Sequence, residues 1–338
     1  MRTVLGDVDP ADVGMIAFHE HVLFDIVPPG LRCDLTADIT IENRWQIDYR
    51  SNESPANAFQ TDPDIAATEL EYFKQDGGGL IVDQSVAGLA RDADGLARAS
   101  QASSVHVVAA AGCYTDAYAP DHLKALRDEE LTELFVAEVK QGADGGTICA
   151  GLIGEIGCSW PLEAFEARAL TAASRAAIVT GAALSVHPGR SPNACNQILD
   201  IIEGEGLDLS RVVLCHMDRT HPNGEGVREL LERGANVEWD FFGIEQSHYW
   251  MDDTELPTDR GRLRLIKRFA DEGYADQILV SQDICTKTRM RRWGGHGYGH
   301  IFRKVVPLMN RMGFDDALID RLLRKTPLRL LTLQEGKT

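Results

Sequence analysis

Short apolar runs alternate with longer amphipathic stretches along the whole of this 338-residue chain. Eight runs have the length and composition of β-strands: 15–21, 79–85, 105–113, 149–156, 183–187, 212–217, 236–241 and 278–283. Between them lie helical patterns. In DPDIAATELEYFKQDGG, Asp62 can cap, Pro63 suits the first helical position and Gly77 can end the helix. DEELTELFVAEVKQG, LEAFEARALTAASRAAIVTG, EGVRELLERG and DRGRLRLIKRFADEG share that design, with apolar residues three and four apart and then a glycine. Strands alternating with helices predict βα units and a parallel sheet, and eight strands are enough to close a barrel. The expectation is an α/β chain folded as one (β/α)8 TIM barrel over residues 1–338.

Three stretches are long for barrel loops, roughly 25–60, 242–258 and 284–299, and all follow strand C-termini. Loops beyond about 12 to 15 residues are commonly lids or binding loops. The first carries Trp45, Tyr49 and Phe59, which suits either a cover over the pocket or a subunit contact in a homodimer. The last, ICTKTRMRRWGGHGYGH, brings Lys287, Arg289, Arg291 and Arg292 to the same face. They form either an anion-binding rim or ion pairs with neighbouring acidic loops.

Composition narrows the class. With 44% hydrophobic and 25% charged residues the chain reads as an ordinary globular protein, and a net charge of −18 argues against nucleic-acid binding. Seven cysteines, an odd and dispersed set without a CxxC pair, favour a reducing compartment. Cys215 is expected to point away from the side taken by His216 and to serve packing. The first residues, MRTVLGDVDPADVG, hold three aspartates and no apolar core of a secretory signal. No run reaches the 18 to 20 or so apolar residues of a membrane span. The cytoplasm is the expected location, with no membrane and no nucleic-acid partner.

Six residues then stand out, each closing a strand-like run: His19, His21, Glu155, His187, His216 and Asp283. The strand C-termini of a parallel barrel open onto one face, so these six side chains can converge. His19 and His21 share a strand face, with Glu20 turned away. Glu155 lies between glycines in GLIGEIGCSW, which leave room beside the backbone, and a buried carboxylate there needs a partner. Two cations would meet that need, and so would an arginine such as Arg190. His187 and His216 could each be a hydrogen-bonded core histidine, and Asp283 a helix cap. Together, four histidines and two carboxylates suit two divalent ions, zinc first, with manganese, cobalt or iron(II) also compatible. No GxSxG elbow and no P-loop or dinucleotide motif is present.

The motifs FHEH, GLIGEIGCSWPL, HPGRS, HMDRT, WDFFGIEQSHYW and DICTKTRMRRWGGHGYGHIFRKVVP occur in this order. In them the chain resembles the phosphotriesterase family of the amidohydrolase superfamily, and more closely its phosphotriesterase-related branch. The resemblance implies that His19, His21 and Asp283 hold one metal and His187 and His216 the second. Glu155 would bridge them where archetypal phosphotriesterases use a carboxylated lysine, so efficient organophosphate hydrolysis does not carry over. It implies attack by a metal-bridged hydroxide, with Asp283 as the catalytic acid and base. Members of the related branch hydrolyse N-acetyltaurine, so a small N-acyl amide with an anionic tail is the leading substrate expectation. A lactonase or a carboxylic or phosphorus esterase is the alternative, and a ligand-binding barrel with little turnover is a third reading. Arg190 and Arg219 each follow a ligand histidine by three residues and could clamp the anion. Each could instead orient a neighbouring carboxylate, Asp218 being one option. Tyr249 and Trp250 could line the pocket, and His248 could relay protons.

Overall fold

In a computed structural model of the chain, described for residues 1–50, 54–245, 249 and 251–336, eight parallel strands form one sheet. They are β1 (Met15–Glu20), β2 (Gly78–Asp83), β3 (His106–Ala111), β4 (Leu152–Gly157), β5 (Leu184–His187), β6 (Val212–Leu214), β7 (Asn236–Trp239) and β8 (Ile278–Val280). Each pairs with the next in sequence. The ends meet where Asp283 N–H donates to His19 O at 3.0 Å and His19 N–H to Ser281 Oγ at 2.9 Å. The expected barrel is therefore the observed one.

The helices follow the strands in register: α1 (Pro63–Gln75), α2 (Ala93–Ser103), α3 (Asp128–Lys140), α4 (Ala164–Thr180), α5 (Pro192–Gly204), α6 (Val227–Glu232), α7 (Asp259–Phe269) and α8 (Val306–Arg311). Asp62 caps α1 by accepting from Asp64 N–H and Ile65 N–H, and Gly181 ends α4 in the left-handed conformation. A side chain at Gly181 would also run into Gln334 O.

Two apolar layers hold the fold. Ile16, Phe18, Leu80, Val82, Val108 and Leu152 fill the barrel with partners from the later strands, while a larger cluster lies between the strands and helices. At the bottom, Arg211 donates to Arg329 O at 2.7 Å and to Leu330 O at 2.9 Å, so the C-terminal segment closes that end.

Strand alternation breaks where it matters. Phe18 and His19 both face inward because β1 carries a register irregularity between Ala17 and Glu20. Glu20 does turn away, accepting from Ser281 Oγ, Gln282 N–H and Ile284 N–H. Cys215 packs in the core as expected, but not on the side expected for it. It lies inside the barrel, its Sγ 3.1 Å from Ser185 Oγ, and His216 reaches the same interior because its φ is +59°.

Of the long loops, the first lines the barrel mouth with Ile26, Pro28 and Ala58, while Trp45 is 75% exposed and stacks on Tyr49. In the third, Arg291 pairs at 3.0 Å with Asp76, the residue that follows α1, whereas Arg289 is buried.

Candidate metal centre

All six residues selected from the sequence meet at the C-terminal mouth of the barrel. The Glu155 carboxylate is the common point. Its Oε2 lies 3.0 Å from His187 Nδ1, 3.2 Å from His216 Nε2 and 3.6 Å from His19 Nε2, and its Oε1 lies 3.5 Å from His21 Nε2. Asp283 Oδ1 stands 3.2 Å from His21 Nε2 and 3.9 Å from His19 Nε2. His187 Nδ1 and His216 Nε2 are 2.8 Å apart. The histidines thus fall into two pairs, one beside Asp283, with Glu155 between them.

Backbone sterics put Glu155 there. A Cβ at Gly154 would lie 2.0 Å from Ser185 O, and one at Gly157 2.2 Å from Thr115 N. The room left by these glycines is therefore taken by neighbouring backbone, not by a ligand. The alternative Arg190 ion pair does not form among the described residues; histidines surround Glu155 instead.

The outward nitrogens of His21 and His216 are anchored. Ser85 Oγ donates to Leu23 O, so it accepts from His21 Nδ1 at 3.1 Å and leaves Nε2 bare toward the centre. Asp240 Oδ1 accepts from His216 Nδ1 at 2.9 Å, with the same result for that ring. His19 Nδ1 faces Glu238 at 3.3 Å and Asp240 at 3.4 Å, and neither of its buried ring nitrogens has a hydrogen-bond partner among the described residues. An orphaned buried nitrogen aimed at two carboxylates fits a cation. So does the grouping of His19 with Glu155 and His216, and with His21 and Asp283, each within coordination reach.

Electrostatics agree. Burial alone would raise the Glu155 carboxyl, but His187 and His19 outweigh it and hold it well below the carboxylate range. Asp283, equally buried, is brought down to about 2 chiefly by its bond to His21. Burial pushes His216 well below and His187 below the usual imidazole value, with Arg219 adding to both. Neutral imidazoles and ionised carboxylates are the states that bind metal, which describes this pair and both carboxylates, whereas the neighbouring carboxylates raise His19 and His21.

Above the centre is a cleft of about 880 Å³, partly open to solvent. Arg190, Arg219 and Tyr249 line it, as expected from the sequence. Arg190 is exposed at the mouth, beside the Tyr249 hydroxyl and 3.4 Å from Met251 Sδ. Arg219 is buried and donates to His187 Nε2 at 3.0 Å and Pro188 O at 2.8 Å. Asp218 bonds Arg262, not Arg219. His248 and Trp250 lie outside the described residues. Sequence reasoning passed over Ser85, Tyr114, Glu238 and Asp240, and it placed Arg289 in a basic rim rather than on the backbone of Asp283. Glu238 and Asp240 left a signal, two acids spaced i, i+2 in an otherwise buried strand.

The motif order, the barrel and this geometry agree with comparison to known proteins. The phosphotriesterase family model matches residues 1–331. The chain belongs to the phosphotriesterase family. Human N-acetyltaurine hydrolase is 36% identical over 342 residues, covering 99% of this chain and 98% of the relative. A phosphotriesterase-related protein of Nematostella vectensis is 36% identical, with 98% of each covered. A solved resiniferatoxin-binding protein from Rhodobacter sphaeroides superposes with a TM-score of 0.91 at 32% identity, covering 100% of this chain and 96% of that one. A Listeria monocytogenes lactonase shares the fold, with a TM-score of 0.81 at 23% identity over 99% of each chain.

Proposed function

We propose that this family member is a binuclear metal-dependent hydrolase of a small N-acyl amide with an anionic tail, N-acetyltaurine being the pattern. The observation that carries the reading is the meeting of two histidine pairs on the buried Glu155 carboxylate, with Asp283 beside one pair. His19, His21 and Asp283 would hold one ion, His187 and His216 the other, and Glu155 both; zinc is the first choice for this donor set. When bound, such ions polarise an acyl oxygen and lower the pKa of water toward neutrality.

The chain's own residues do the rest. The cleft brings the amide carbon over the centre, and one water adds to it as the C–N bond breaks. Asp283, ionised across the neutral range, takes the proton from that water and passes it to the departing nitrogen, acting as base and then acid. Arg190, beside Tyr249 at the open mouth, holds the sulfonate or carboxylate end through paired N–H donors. Arg219 lines the same cleft, where it steadies His187 and supplies further positive charge. The apolar wall of Ile26, Pro28, Ala58 and Leu89 favours, as a second reading, an ester or lactone with a larger acyl group. The scattered cysteines suit a cytoplasmic setting.

The test is product release by metal-loaded protein from N-acetyltaurine and other N-acetyl amino compounds, beside lactones and organophosphates, with an Asp283→Asn variant in parallel. Acetate release that vanishes in the variant is the expected result. Turnover of lactones or phosphorus esters alone would overturn the substrate assignment and leave the centre standing. No turnover of any class by a metal-loaded sample would favour a binding protein.

A further inference from the structure

We infer that Asp240 is a positioning residue that ties the two histidine pairs into one centre from behind; this rests on the metal-binding reading above. Asp240 lies one residue beyond β7 and is fully buried. Its Oδ1 accepts from His216 Nδ1 at 2.9 Å. Its Oδ2 accepts from the His216 backbone N–H at 2.9 Å and lies 3.4 Å from His19 Nδ1. His216 belongs to the pair with His187, and His19 to the pair with His21. Among the described residues, the rear nitrogens of the other two rings face groups that serve one ring each. Ser85 meets His21, and Tyr114 and Arg219 meet His187. Glu238, 3.3 Å from His19 Nδ1, likewise serves one ring.

The backbone that carries this carboxylate is itself held in place. Asp218 Oδ2 accepts from the N–H groups of Asp240 at 2.9 Å and Phe241 at 3.3 Å. Arg262 of α7 donates to Asp218, to Asp259 Oδ1 at 2.8 Å and to Ile244 O at 3.1 Å. Arg262 and Asp218 therefore fix the backbone that carries Asp240, whose carboxylate bonds the rear of His216 and faces His19 Nδ1 across 3.4 Å. A carboxylate behind a ligand histidine fixes the ring's orientation and raises its basicity, and its loss lowers metal affinity roughly 10- to 100-fold. Most such carboxylates act on one ligand. This one contacts a ring from each pair, so removing it should weaken both sites together.

The test is Co2+ and Zn2+ titration of the metal-free full-length chain, with site occupancy read from the Co2+ spectrum and from metal analysis after dialysis. The unfolding midpoint of each metal-free variant reports whether it folds. Wild-type protein should take up two equivalents. Asp240→Asn, close in volume, should weaken both sites about 10- to 100-fold, while Ser85→Ala should weaken one. An Asp240→Asn protein that keeps either site at wild-type affinity would overturn the inference. Should that variant not fold, Asp240→Glu keeps the charge and displaces it by a methylene, with the same two outcomes. Wild-type protein that binds no metal would sink the metal reading, and this inference with it.

Discussion

Arg289 separates two accounts of the basic third loop. Its guanidinium does not face solvent: it donates to Asp283 O at 2.6 Å, to Gln282 O and to Phe242 O at 3.3 Å. Asp283 has φ +50°, a left-handed conformation that costs a non-glycine residue about 1 kcal/mol or more. Its N–H bond to His19 O and the Arg289 bond to its carbonyl hold it there. Lysine at 289 could reach one of these carbonyls and would leave at least one buried and unbonded. Each bond from a charged donor is worth roughly 1.5 to 3 kcal/mol, so Arg289→Lys should destabilise the metal-free chain by about 2 to 4 kcal/mol. Released from its clamp, Asp283 would draw back from His21, and displacement of about 1 Å commonly costs 100-fold in rate. Urea unfolding and steady-state kinetics on the hydrolysed substrate measure both effects. The expected pattern is lower stability and a fall in kcat with KM little changed. A rise in KM for anionic substrates, with kcat and stability intact, would refute the clamp and make Arg289 part of an anion rim.

Other outcomes follow from the same geometry. Arg262→Met leaves Asp218 buried with only two backbone N–H partners and should cost about 3 to 5 kcal/mol in urea unfolding; a loss below about 1 kcal/mol contradicts this. Glu155→Gln keeps the shape and removes the charge between the pairs, so bound metal should drop to one equivalent or less; two retained equivalents would show that Glu155 is not shared. For the metal-free protein, the Asp283 pKa falls from 3.8 to about 2, so its stabilisation is present above about pH 4 and lost as pH falls toward 2. That shift corresponds to about 2 kcal/mol. Urea midpoints between pH 5 and 2 should therefore fall less steeply for Asp283→Asn than for the unaltered chain, and equal slopes would contradict it.

How much of this was legible in the sequence depended on whether a residue's role follows from its place on a regular element. The eight apolar runs end within a few residues of β1 to β8, because composition and flanking helix signals mark a barrel strand. The six ligand candidates were readable because their types are unusual at strand ends. Their facing was not. Alternation correctly paired His19 with His21, yet it gave no hint that the β1 irregularity lets Phe18 and His19 share the interior. It misplaced Cys215, because His216 returns to the barrel mouth through a left-handed turn rather than by strand alternation. Asp240, and the bonds that Arg289 makes, escaped for another reason. Their roles lie in bonds to carbonyls and rings from distant strands, and spacing along the chain carries no trace of such contacts.

Charge balance gives the strongest reason to expect cations at this mouth. The barrel buries many carboxylates, and those that hold loops are satisfied by backbone or guanidinium. Asp83 accepts from Val22 N–H at 2.6 Å and Ser85 N–H at 2.9 Å, Glu20 from the start of the third loop, and Asp218 from Arg262. Glu155 and Asp283 have only imidazoles, and burial keeps His216 and His187 from charging. In the metal-free chain these carboxylates favour protons on the other pair. Burial opposes charging of His19, but Glu155 and Glu238 outweigh it; for His21 the bond and charge of Asp283 do the same, and both pKa values are raised. Cations entering the centre must displace those protons, so binding should release them and strengthen as pH rises through the raised histidine values. Calorimetric titration with Zn2+ in buffers of differing ionisation enthalpy measures that release directly. Uptake of metal without proton release near pH 7 would mean that His19 and His21 are already neutral, and that something other than protons balances Glu155 and Asp283 before the metal arrives.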